Sequence, residues 1–133
     1  MSFSPNLGFA LILTAQAQKE VTANTALVAL DQATDGTTTK ALTTAATLTA
    51  AQATSAVLKF TGAPSGSCAV TIPALIAGGS KIYLVINETG QDVVLGYAIG
   101  ATVTVATGTA QLVYCNGTAV FAMAAAYTFA GTP

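Results

Sequence analysis

The stretch KIYLVINETG QDVVLGYAIG ATVTVATGTA QLVYCNGTAV FAMA, Lys81 to Ala124, decides the fold class. Short apolar runs alternate there with the turn dipeptides Thr89-Gly90, Thr107-Gly108 and Asn116-Gly117, and no acid, base or nucleophile clusters along them. This spacing predicts strands of a stacked or closed antiparallel sheet. Between Ala101 and Ala106 the alternation is clean: Val103 and Val105 are expected in the core, Thr102 and Thr104 outside. Ile82 to Ile86 is apolar at every position, so this strand is expected to be covered on both faces. In a two-layer sandwich the second cover must be another element or another subunit.

Working outward, strands are expected at Val57–Thr61, Ser67–Ile72, Lys81–Asn87, Asp92–Tyr97, Ala101–Ala106, Ala110–Cys115 and Ala119–Ala125. Strands at intervals of about ten residues suit a mainly β antiparallel sandwich, jelly-roll-like, better than βαβ units. Asn87 and Gly90, and Asn116 and Gly117, are the expected structural turn residues. An Asx-type side chain can hold the first turn while glycine takes positive φ, and Asn-Gly between apolar strands is a strong hairpin signal. Thr37 to Ala56, rich in Thr and Ala, is undecided by periodicity. Strands are read near Lys40–Thr44 and Ala46–Thr49, although Ala45 to Ala53 is also compatible with helix by propensity.

The N-terminal part reads as an irregular arm, Ser2-Phe3-Ser4-Pro5-Asn6, then a short extended apolar run and one short helix. Thr14 and Thr22 are both suitable caps. Ala23, Leu27, Leu30 and Ala33 recur at helical spacing, and Asp35-Gly36 is expected to end the helix through a left-handed glycine. Two units follow: residues 1–36, arm and helix acting as a docking segment, and residues 37–133, the β-sandwich.

Charge is scarce. Of 133 residues only nine are charged, 7% of the chain, and four of the nine precede Gly36. A typical globular domain carries about 25%. Interface cores are depleted of charge, and charge-poor surfaces keep molecules apart poorly, so the composition points to assembly. With net charge −1, no arginine and four scattered lysines, the chain lacks the basic cluster that nucleic acid requires. The longest apolar run, Ala119 to Tyr127, is far shorter than the roughly 20 residues of a spanning helix. Leu7 to Leu13 lacks the basic flank of a signal peptide, so synthesis and retention in a cytoplasm are expected. There Cys68 and Cys115 are expected as free buried thiols.

Catalysis has little to work with. Without histidine, neither a Ser-His-Asp nor a Cys-His arrangement can form, and a zinc-type ligand set is lacking. The acidic pairs Asp31/Asp35 and Glu88/Asp92 read as caps and turns, not as a glycosidase pair. Gly78-Gly79-Ser80-Lys81 has the wrong spacing for a phosphate loop and precedes a strand. Asn87-Glu88-Thr89 and Asn116-Gly117-Thr118 match the glycosylation triplet by letters alone. No enzyme activity and no cofactor are expected.

Two sets of residues carry a resemblance. Gln16-Ala17-Gln18-Lys19-Glu20-Val21-Thr22-Ala23-Asn24-Thr25-Ala26-Leu27, followed by Leu30-Asp31, resembles the Q-A-Q-K-x-V-T-x-N-x-A-L…L-D signature of an uncharacterised family from phages and gene transfer agents. That family usually has Pro-Gly before the first Gln, where this chain has Thr14-Ala15. Leu84 to Gly90, Gly100 to Val105, Gly108 to Ala110 and Leu112 to Val120 are similar to a β-module of phage tail-fibre, tailspike and head-decoration proteins.

The resemblance implies a virion structural protein made in a bacterial cytoplasm: a homotrimeric capsid decoration (cement) protein whose partners are itself and the major capsid protein or other virion proteins. A short tail fibre or tailspike component, or a receptor- or carbohydrate-binding module for a host-surface glycan, is the alternative. Gln16, Gln18, Lys19 and Asn24 form either a solvated helix face or the polar contacts by which the N-terminal segment docks on a neighbour.

Overall fold

The computed structural model describes residues 3–8, 10–11, 19–74 and 80–123 of the chain. Its elements are α1 (Lys19–Asp35), β1 (Thr37–Ala41), β2 (Ala46–Thr47), α2 (Ala50–Thr54), β3 (Val57–Thr61), β4 (Cys68–Thr71), β5 (Lys81–Asn87), β6 (Val93–Gly96), β7 (Val103–Val105), β8 (Ala110–Cys115) and β9 (Val120–Ala122). The protein is mainly β, with two sheets and two helices.

The chain winds between the sheets. The first sheet has the order β1-β3-β5-β8-β9 and the second β2-β4-β6-β7. From β1 to β6 each successive strand enters the opposite sheet, and each lies parallel to the strand one turn earlier: β1 on β3, β3 on β5, β2 on β4, β4 on β6. Then the direction reverses. Strand β7 runs antiparallel to β6, β8 to β5, and β9 to β8. The two-sheet sandwich is as the sequence suggests, but the purely antiparallel, jelly-roll-like pairing is corrected to a three-turn parallel coil closed by antiparallel strands. The reason lies in the connections. Gly62–Ser67 and Glu88–Asp92 are corners that carry the chain from one sheet to the other, a spacing of about 10 Å, instead of folding it back beside itself. Asn116-Gly117 does form the expected hairpin, joining β8 to β9 with Gly117 at φ 95°.

Inward residues of both sheets meet in one core. Leu58, Phe60, Tyr83, Val85, Val113, Cys115 and Val120 come from the first sheet, and Cys68, Val70, Val93, Leu95, Val103 and Val105 from the second. Leu42, Leu48 and Ile72 fill the corners and continue the ladders, each donating its N–H one turn onward: Leu42 to Thr61, Leu48 to Thr71, Ile72 to Gly96. Close stacking of turns leaves no room at Gly62, which has φ 103° and where a Cβ would collide with the Leu42 carbonyl oxygen. Only glycine meets both demands.

The helices cover the first turn of the coil. Helix α2 was not among the expected elements. It starts on a complete capping box, in which Thr49 Oγ1 accepts from Gln52 N at 3.1 Å and Gln52 Oε1 from Thr49 N at 2.9 Å. The two strands before it begin at Thr37 and Ala46, and the first ends at Ala41, three residues before the expected Thr44. Buried Ser55 joins three elements: Gln32 Nε2 donates to its Oγ at 2.7 Å, and Thr38 Oγ1 lies 2.7 Å away. Helix α1 ends at Asp35 as expected, but Gly36 is not left-handed. It is glycine because any Cβ would strike the Gln32 side chain that reaches Ser55.

The two N-x-T triplets are one device used twice. Asn87 Oδ1 accepts from Thr89 N at 2.9 Å and from Thr89 Oγ1 at 2.7 Å, and Asn116 Oδ1 accepts from Thr118 N at 2.9 Å and Thr118 Oγ1 at 3.0 Å. Gly90 contributes no left-handed residue to the Glu88–Asp92 corner, contrary to expectation; the Asn87 and Thr89 side chains and the Glu88 N–H donating to the Phe60 carbonyl hold it. Burial separates the copies. Asn87 is 1% exposed and also donates to the carbonyls of Gln91 at 2.8 Å and Val105 at 2.9 Å, whereas Asn116 lies at the surface. Removing a partner from a buried polar group costs about 1–3 kcal/mol. Asn87→Ala is therefore expected to destabilise the domain by about 3 kcal/mol and Asn116→Ala by about 1 kcal/mol or less. Gly62→Ala is expected to match the larger loss. Urea denaturation of the three variants checks the ranking, and equal losses at Asn87 and Asn116 would refute it.

Candidate functional site

Two surfaces stand out, and both follow from local sequence. The first is the outer face of the first sheet. Strand alternation turns Ile82, Leu84 and Ile86 outward from β5 while Tyr83, Val85 and Asn87 point inward. Ile82 lies opposite Tyr114, and Tyr114 opposite Phe121; Leu84 lies between Val57 and Leu112. Exposure of these side chains is 53% for Ile82, 36% for Leu84, 46% for Leu112, 38% for Tyr114 and 45% for Phe121. The expectation that β5 needs a cover on both faces meets a sheet whose inner side is core and whose outer side is open.

The second surface is the docked N-terminal arm. Asp31 projects from α1 and is fully buried. Its carboxylate accepts from Ser4 Oγ at 3.0 Å, Asn6 N at 2.9 Å, Asn6 Nδ2 at 2.8 Å and Leu7 N at 2.5 Å. Ser4 to Leu7 thus turns around one side chain, and an antiparallel bridge between Phe3 and Ala10 closes the loop behind it. Burial works against the charge, but the Leu7, Asn6 and Ser4 donors outweigh it and hold the Asp31 carboxyl below its ordinary 3.8. Next to Asp31 in the helix, Leu30 is 57% exposed, and on the arm Phe3 and Leu7 are exposed as well.

The expected docking set is only partly visible. Gln16 and Gln18 lie outside the described residues; Lys19 opens α1; Asn24 sits in its second turn, half-buried. Lys19 and Asn24 share that one helix. Of the other acids named in the sequence, Glu88 pairs with Lys59 at 3.2 Å and Asp92 Oδ1 accepts from Thr107 N at 3.1 Å. What sequence reasoning missed is Asp31, read as a helix-end residue; the Ser-Pro-Asn turn 25 residues away gave no local sign that it was the partner.

The remaining reactive groups are muted. Cys68 and Cys115 are free and buried, on opposite sheets. Burial pushes the Cys115 thiol up to about 11 despite Tyr97 and Lys81 beside it, which keeps it protonated and unreactive at neutral pH. Burial, with Cys115 adjacent, also raises the Tyr97 hydroxyl. Tyr97 borders a shallow apolar cleft of about 330 Å³ with Ile72, Pro73, Ile99 and Thr118. Among the described residues no cluster of three or more His, Cys, Asp or Glu could hold a metal, and no helix is long and apolar enough to cross a membrane. Comparison with known protein families, curated proteins and solved structures finds no match for this chain.

The arm is tested through its anchor. A carboxyl lowered in the folded state stabilises docking above its ordinary value and loses that contribution as pH falls through the folded value. The amide signals of Asn6 and Leu7 are therefore expected to hold constant at neutral pH and to titrate only below about 3.8. In Asp31→Asn they move to unstructured positions at every pH, while the β-sheet signals stay in place. Heteronuclear NMR reads both; unmoved signals in the variant would show that the arm is held by something else.

Proposed function

We propose that this chain is a structural subunit of a phage particle: a decoration protein that forms a homotrimer and binds a preformed shell. The observation that carries this reading is the open apolar face on a chain whose described charges are mostly engaged within the subunit. A catalytic or nucleic-acid-binding surface concentrates ionisable groups; this one excludes them. The phage-family signature at Gln16 to Leu27 and the fibre- and decoration-like module at Leu84 to Val120 support the virion setting, and the latched arm supplies a second apolar surface suited to the shell.

Glycan binding as a receptor module has less support. Sugar sites present stacking rings, and Tyr83 is fully buried with its hydroxyl donating to the Ala53 carbonyl at 2.5 Å. Among the described tyrosines Tyr114 is the most open, and it lies within the apolar face.

Two measurements test the proposal. Sedimentation equilibrium of the purified protein is expected to give three chain masses. Immunogold labelling of intact particles is expected to give a regular array over the head. A monomer at high concentration would sink the assembly reading, and label confined to the tail would transfer the protein to the fibre class.

A further inference from the structure

Outward positions elsewhere on the two sheets are mostly small or polar, with Val57 on β3 and Val94 on β6 the aliphatic ones. On β1 they are Thr37 and Thr39; on the second sheet they include Thr47, Ala69, Thr71 and Thr104. The same chain therefore largely observes the usual rule that a solvated sheet face is polar, and its large apolar side chains cluster outward over β5, β8 and β9. At roughly 150–250 Å² per large side chain, the exposures of Ile82, Leu84, Leu112, Tyr114 and Phe121 leave on the order of 400 Å² of contiguous apolar surface. That is about half of the roughly 800 Å² that each partner contributes to a standard stable interface. Flanking Val57, Ile86 and Met123 extend the patch toward that size.

We propose that this face is where copies of the chain meet, each turning its β5-β8-β9 surface toward a shared rotation axis. The inference rests on the self-assembly reading above and specifies its surface. Charge identifies the occupant. The ions bordering the face, Lys59 on the adjoining strand β3 and Glu88 just after β5, neutralise each other at 3.2 Å within one subunit. A charged partner finds nothing there to pair with, whereas an identical uncharged face approaches without repulsion. Shape agrees: side chains in cross-strand rows present the ridges that interdigitate when sheets stack about 10 Å apart. One face per subunit is enough, because two faces close around a two-fold axis and three close as a triangular core.

The test places one charge at the centre of the face and one away from it. In Leu84→Lys, self-association is expected to weaken at least roughly 30-fold, the loss of a central hot spot, with sedimentation falling to one chain mass and the circular dichroism unchanged. Thr104→Lys, on the outer face of the second sheet, is expected to keep the oligomer. If Leu84→Lys fails to fold, Leu84→Cys serves instead. A short bismaleimide is expected to join copies of Leu84→Cys and leave copies of Thr104→Cys single, since Cys68 and Cys115 are buried. An oligomer that survives Leu84→Lys, or crosslinks only through Thr104→Cys, overturns this inference and leaves the assembly reading standing. A monomeric parent protein that is merely destabilised by Leu84→Lys shows the face to be covered by the chain itself, and overturns both.

Discussion

At the corner after β5 the chain must leave one sheet, cross the core and enter the other, and a buried carboxamide controls that crossing. Asn87 occupies an inward position paired with Phe60, where the alternation of β5 calls for an apolar residue. Its Oδ1 fixes Thr89, while its Nδ2 hydrogens reach Gln91 at the start of the next turn and Val105 at the end of β7. Both amide hydrogens and both acceptor directions are used, so burial leaves nothing unsatisfied. Thr89 continues the network, its Oγ1 accepting from Gln91 N at 3.2 Å, and Thr107 Oγ1 donates to the Thr89 carbonyl at 2.5 Å. The spacing of the two sheets at this end, and the place where the parallel coil turns antiparallel, both depend on these contacts.

Much of the layout was legible in the sequence because apolar periodicity and turn chemistry are local. The strands at Val57–Thr61, Lys81–Asn87 and Ala110–Cys115 have the bounds that alternation and punctuation indicated. Strand direction was not legible. Alternation records which face a residue takes, and a four- to six-residue polar loop serves equally well as a hairpin or as a corner between layers. Parallel partners such as Leu58 and Val85 are joined through a strand of the opposite sheet, a relation that no short window contains. Helix α2 was legible in principle, since Thr49 and Gln52 spell a capping box, but the β-branched neighbours outweighed it.

The glycines show the same limit. Gly36 and Gly90 looked like left-handed residues at turns. Gly36 is instead required by the Gln32 side chain packed against it, and Gly90 meets nothing within 4 Å. Gly62 and Gly100 are positions where φ and close approach coincide, and the constraint comes from the Leu42 carbonyl in the preceding turn for the first and from the Thr118 carbonyl for the second. For the candidate site, the doubly apolar strand Ile82 to Ile86 was readable; that Tyr114 and Phe121 would complete one face followed only from register.

The scarcity of charge takes on a sharper meaning once the partners are known. Asp31 is enclosed by the arm, Lys59 and Glu88 hold each other, and Asp92 caps a turn. Lys81 donates to the Ala33 carbonyl at 3.4 Å, lies 5.3 Å from the centre of the Tyr83 ring, and is lowered in pKa by burial. Charges so engaged contribute little to the long-range repulsion that keeps proteins apart in solution. A subunit that engages most of its described ions internally and leaves one sheet face apolar has little charge with which to repel a neighbour, which favours the self-association proposed above. In the proposed assembly, burial of that face against identical neighbours would remove the apolar surface without requiring charge from either side, so the internal fastening and the open face fit one allocation of charge.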